Sequence, residues 1–207
     1  MTASIILMLL IAGAAFAQQS VTILTPDGHT MHADQYGVVG RKGVVLVHGG
    51  RFNKGSWAKQ AGMLAQKGFC ALAIDFRENH PDVLAAVRYL HSNGANSVAV
   101  VGASYGGDAA GDAAVAASPG EIDKLVLLAS LGGNSPSRLK GKKLFILSRD
   151  DTNSAGPRLP KILAAYKAAP GPKKLVILEG SAHAQFLFET DQGPRLMQEI
   201  LQFLMKR

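Results

Sequence analysis

Two segments, residues 21–24 and 29–35, flank Pro26-Asp27-Gly28, a turn signal that predicts a β-hairpin. Beyond it the pattern changes. Residues 44–47, 70–74, 98–101, 125–129, 144–147 and 175–178 are continuously apolar, as strands buried on both faces are. Helical patterns separate them, at 56–67, 81–92, 105–117, 157–168 and 194–206. In "DVLAAVRYLH", Val83, Leu84, Val87 and Leu90 fall on one helical face. Strands alternating with helices predict an α/β fold, a mostly parallel twisted sheet with helices on both faces. Right-handed crossovers and ligand binding at the carboxyl ends of the strands follow. With no internal repeat, low-complexity tract or linker, residues 18–207 read as a single domain.

The amino terminus breaks this pattern. Residues 5–17 form an uncharged apolar stretch, too short for a comfortable membrane span. It closes on Ala15-Phe16-Ala17 and then polar Gln18, which predicts a signal peptide over residues 1–17 and export to the periplasm or medium. No Lys or Arg precedes the apolar core, a departure from the usual leader. The formal net charge of +7 is scattered. Its densest groups, Lys140, Lys142, Lys143 and Lys173, Lys174, lack interleaved aromatics, which argues against nucleic-acid binding. The only cysteine, Cys70, excludes an intramolecular disulfide and lies in the apolar run "FCALAID", as a buried, inert thiol would.

The chemistry collects at the strand ends. The third strand ends in "VLVHGGRF", the fifth in "VVGASYGG" with Ser104, the seventh in "LFILSRDD" with Asp150 and Asp151. The eighth is followed by "EGSAHAQF" with His183. A serine, an acid and a histidine thus stand in that chain order, each just past a strand, where a parallel sheet can converge them. Asp75 also ends a strand and is expected to be structural, paired with Arg77. No ligand spacing for zinc is present, and no metal or organic cofactor is expected.

In these motifs the sequence resembles the α/β-hydrolase family, over nearly all of the chain from about Val21 onward. Gly102-Ala103-Ser104-Tyr105-Gly106 fits the family's G-x-S-x-G elbow. "VVLVHGG" is similar to its oxyanion strand and loop, "LFILSRDD" to its acid strand and "EGSAHAQF" to its histidine loop. The resemblance implies Ser104 as nucleophile, His183 as base and Asp151 as acid, with Asp150 as the alternative acid. It implies oxyanion donors from the backbone of Tyr105 and Gly50, with His48 orienting the oxyanion loop. The nearest group is the small, capless dienelactone-hydrolase-like esterases; dienelactone hydrolases proper use a cysteine where this elbow has Ser104.

Residues 131–143, "LGGNSPSRLKGKK", are too few for the helical cap that many members carry, so an open site is expected. Phe52, Trp57, Tyr105 and Phe186 are candidate rim residues, with Phe52, Trp57 and Phe186 as substrate contacts. The activity implied is hydrolysis of small carboxylic esters, short acyl chains preferred. A peptidase or amidase of the same fold, and a non-catalytic binding module on it, are the alternatives.

Overall fold

A computed structural model describes residues 18–77 and 79–206 of the chain. The expected signal peptide, residues 1–17, lies outside them. The chain forms β1 (Gln19–Leu24), β2 (Thr30–Tyr36), β3 (Lys42–Val47), α1 (Ala58–Gln66), β4 (Cys70–Ile74), α2 (His80–Ser92), β5 (Ser97–Ala103), α3 (Tyr105–Ala116) and β6 (Lys124–Leu128). It continues with β7 (Lys142–Ser148), the two-residue strands β8 (Thr152–Asn153) and β9 (Gly156–Pro157), α4 (Leu159–Ala168), β10 (Lys173–Leu178) and α5 (Gly193–Met205).

Eight strands make one sheet in the order β1-β2-β4-β3-β5-β6-β7-β10. Pairing is parallel from β4 to β10, whereas β2 runs antiparallel to both β1 and β4. The central strands are buried almost end to end, β4 entirely, whereas the outermost, β1 and β10, have buried residues interleaved with more exposed ones. This is the difference between a strand covered on two faces and one on the margin. The order places the β3–β4 crossover in one direction and the β4–β5 and β5–β6 crossovers in the other. With right-handed connections, α1 covers one face and α2 and α3 the other. In α5, Leu196, Met197, Ile200 and Leu204 are buried along one stripe.

Register brings the strand ends level. Val47 pairs with Gly102, Ala103 with Leu128, Leu128 with Ile146, and Ser148 with Leu178. The segments that follow these residues therefore share one edge of the sheet.

The loop from β6 to β7 lies flat on α3. A Cβ on Gly107 would press on the Ser130 side chain, and one on Gly111 would collide with the backbone of Gly132. Ser130 Oγ donates to Asp108 Oδ1 at 2.7 Å, and the amide of Asn134 donates to Asp112 Oδ1 at 2.8 Å. Apart from one 3-10 turn (Pro136–Arg138), the loop carries no helix, and among the described residues no cap covers this edge.

Asp75 and Arg77 do not pair as expected. The Arg77 guanidinium donates to Asp82 (Nη2–Oδ1 2.6 Å) and to Asp27 in the hairpin turn (Nη1–Oδ2 2.8 Å), while Asp75 accepts the amide of Lys54 at 2.8 Å. The buried Asp82 at the start of α2, which has Asn79 as its cap, is the site that must have a cation. Held by Arg77 and then Thr25, the Asp27 carboxyl lies far below the usual carboxylate range.

Cys70 is 1% exposed, and burial pushes its thiol up to about 11. Because the thiolate is the reacting species, native protein at pH 8 is expected to resist iodoacetamide. The same protein in guanidinium chloride should react at least about a hundredfold faster. Comparable rates, followed by mass, would show that Cys70 is reached in the native state.

Candidate active site

β5 runs directly into a sharp corner. Ser104 has φ 52° and ψ −118°, a conformation that costs a non-glycine residue about 1–3 kcal/mol. Bare neighbours let the corner close. A Cβ on Gly102 would meet the backbone of Gly106 and Gly107, and one on Gly106 would meet the carbonyls of Val47 and His48. The Ser104 amide donates to Leu128 O at 2.9 Å, and its carbonyl accepts from the amides of Gly107 (2.9 Å) and Asp108 (3.0 Å). The strain is thus held by backbone on both sides. Two other non-glycine residues, Ala129 and Ala184, also have positive φ, and each lines a cavity that meets Ser104.

His183 reaches the serine from the loop after β10. Its Nε2 lies 2.8 Å from Ser104 Oγ and its Nδ1 lies 2.6 Å from Asp151 Oδ2. A carboxylate only accepts, so Nδ1 carries the ring hydrogen and Nε2 offers a lone pair to the Ser104 hydroxyl. The adjacent aspartates separate cleanly. Asp151 is fully buried and faces the imidazole, whereas Asp150 is exposed. Ser148 Oγ donates to Ala182 O, tying the end of the acid strand to the histidine loop. Such a chain of contacts can draw the proton from a serine hydroxyl as that hydroxyl attacks a carbonyl.

The loop after β3 is fixed by a residue that sequence reasoning passed over. Gln185 Oε1 accepts the amide of Gly49 at 2.7 Å, and its Nε2 donates to Ser56 Oγ at 2.8 Å. His48 Nδ1 donates to Gly49 O at 2.9 Å. With the Gly49 amide engaged, the amides of Gly50 and Tyr105 remain without a partner among the described residues. Both residues line the cavity in front of Ser104, and Tyr105 begins α3, where helix amides and dipole favour negative charge.

Two cavities flank the serine. One, of about 340 Å³, is lined by Gly50, Arg51, Phe52, His183 and Phe186 with Ser104; the Phe52 and Phe186 rings lie 4.8 Å apart. The other, of about 270 Å³, is bounded by Leu131, Ile162, Pro157, Arg158 and Lys161 and includes Tyr105 and Ser104. Trp57 lines neither and is corrected from rim to core. It is 1% exposed, and its ring stands edge-on to Phe188 at 5.7 Å, because the 3-10 turn at Lys54–Trp57 directs it inward. Among the described residues no group of three His, Cys, Asp or Glu is placed to hold a metal ion, and no helix is long and apolar enough to cross a membrane. Arg158, also passed over in the sequence, stands against Asp151: its Nε is 3.3 Å from Asp151 Oδ1.

Residues 44–198 match the model of the alpha/beta hydrolase family. No curated protein matches the sequence. Among solved structures, dienelactone hydrolase from Anabaena variabilis superposes with a TM-score of 0.77 at 20% identity, covering 92% of this chain and 98% of that one. An esterase from Exiguobacterium antarcticum gives a TM-score of 0.73 at 12% identity, over 91% and 100%. A Pyrococcus furiosus esterase gives 0.72 at 15%, over 91% and 93%. At these identities the likeness is one of fold.

Proposed function

Because the chain belongs to the alpha/beta hydrolase family, we propose that it hydrolyses carboxylic esters through Ser104, His183 and Asp151, by way of an acyl-enzyme. The observation that carries the reading is the unbroken Ser104–His183–Asp151 contact at the mouth of an uncapped cleft. Ser104 Oγ attacks the ester carbonyl as His183 Nε2 takes its proton. Asp151 keeps the imidazole in the Nδ1–H form and offsets the charge that develops. The oxyanion turns to the amides of Gly50 and Tyr105, whose donors are set before the charge appears. His183 then returns the proton to the departing alcohol, and water repeats the sequence on the acyl-enzyme.

The two cavities divide the substrate. The alcohol oxygen must come within reach of His183, which lines the cavity of Phe52 and Phe186 and not the other. The alcohol portion therefore occupies the aromatic side, and the acyl portion the cavity bounded by Leu131 and Ile162. Each buried methylene contributes about 0.8 kcal/mol only where walls enclose it. The acyl side is small, and the β6–β7 loop does not rise over it.

Short acyl esters are accordingly expected to be preferred, roughly C2 to C6 on that per-methylene gain. A p-nitrophenyl ester series in monomeric solution reads this directly. kcat/KM should level off beyond the shorter chains, with no jump in rate when a long-chain triglyceride forms droplets. A steady climb from C4 to C12 would reveal an acyl tunnel and overturn the assignment of the two sides.

A further inference from the structure

We propose that Arg158 is a positioning residue for the triad acid, setting a permanent charge against the Asp151 oxygen that His183 does not use and holding the carboxylate in the orientation that His183 requires. The inference rests on the reading of Ser104, His183 and Asp151 as the catalytic relay.

The observation begins with the backbone. β8 and β9 pair Thr152 with Pro157 and Asn153 with Gly156, so the next facing pair is Asp151 and Arg158. The Arg158 amide donates to Asp151 O at 2.9 Å, closing the hairpin at that pair. This places the guanidinium against the carboxylate oxygen that His183 does not use: Nε to Oδ1 is 3.3 Å, whereas His183 Nδ1 holds Oδ2 at 2.6 Å. Both Nε and Oδ1 are shielded from solvent, and neither has an aligned hydrogen-bond partner among the described residues. Oδ1 is therefore held by charge alone, within a side chain 1% exposed.

A buried carboxylate needs a compensating cation. Were His183 the only one, Asp151 would be balanced only when the imidazole is protonated, the form that cannot act as base. Arg158 supplies a permanent charge and leaves His183 free to be neutral. The other charged and titratable groups around the site come from three elements. Arg51 stands on the oxyanion loop, Tyr105 and Asp108 on α3, and Lys161 on α4. Asp150 is the exposed neighbour in the chain, and Arg149 is engaged by Glu179. Of these charges, only Arg158 is in ionic contact with Asp151.

The test compares pH profiles of kcat/KM on p-nitrophenyl acetate for wild type, Arg158→Gln and Arg158→Lys. Removing the cation favours the imidazolium, so activity in Arg158→Gln should appear only at higher pH. The acid limb should move up by at least about 0.5 pH unit, as loss of a nearby charge implies, with kcat at the plateau reduced at least about tenfold. Arg158→Lys keeps the charge and loses the fork geometry; its acid limb should stay within about 0.2 pH unit of wild type while kcat falls. An unmoved limb in folded Arg158→Gln, or a change in KM alone, would overturn the inference. If Arg158→Gln does not fold, a limb displaced upward in Arg158→Lys does the same. Loss of activity in Ser104→Ala with an unmoved limb in Arg158→Gln would sink this inference and leave the hydrolase reading standing.

Discussion

Replacing Ser104 by alanine is expected to abolish ester hydrolysis while the protein stays folded. The loss in kcat should be on the order of 10⁴-fold or more, as for removal of a triad nucleophile elsewhere. Alanine has no atom that can form the acyl-enzyme. The backbone gives no reason for unfolding. Serine and alanine both carry a Cβ, so the strain at φ 52° and ψ −118° is common to the two. Circular dichroism and the thermal midpoint should be close to wild type. Retention of more than about a tenth of the activity would remove Ser104 from the reaction and open the way to the binding-module reading.

The second large effect separates two neighbours. Asp151→Asn is expected to lower kcat by roughly 10⁴-fold, and Asp150→Asn by no more than about threefold, as for an exposed change. An asparagine at 151 has two orientations, both unfavourable. With its NH₂ toward His183 it donates to Nδ1, which forces the hydrogen onto Nε2 and removes the acceptor that Ser104 needs. With its NH₂ toward Arg158, two donors face each other in a buried site. At 150 the side chain meets solvent, and only the backbone amide is engaged, with Gly180 O at 2.9 Å. A larger loss at 150 than at 151 would exchange their roles.

Much of this molecule is legible in its sequence because the signals are local. A run such as residues 70–74, set between two helical patterns, reads as a central strand, and a serine between Gly102 and Gly106 after such a run announces the corner. The level strand ends follow from parallel pairing, so Ser104, His183 and the acid loop could be placed together before any contact was known. What stayed hidden depends on partners distant in the chain or on the direction of one side chain. Gln185 reaches Gly49 across the site, and nothing in "AHAQFLF" distinguishes a brace from a surface amide. Only the family spacing favours Asp151 over Asp150 in the sequence; in the structure Arg149 and Asp150 form an exposed turn beyond β7, and the chain brings Asp151 back inside. Trp57 is a rim candidate by sequence, but the turn that carries it points into the core. Arg77 pairs with the buried Asp82 and not with Asp75, because the fully buried carboxylate has the greater need of a cation.

The β8–β9 hairpin sets where this fold could be enlarged. Its tip, Ser154 and Ala155, is exposed, and the amide of Ala155 is held only by Asn153 Oδ1 at 2.9 Å. Just beneath it, Asn153 and Gly156 border the cavity of Leu131 and Ile162. The β6–β7 loop, clamped by Gly107 and Gly111 onto α3, offers no slack for an insertion without disturbing the elbow helix. A graft at residues 154–155 would rise over that cavity instead, and the entropy of a longer loop grows only logarithmically with its length. Chain added there would build a wall where the substrate has none, and would leave the corner at Ser104 untouched.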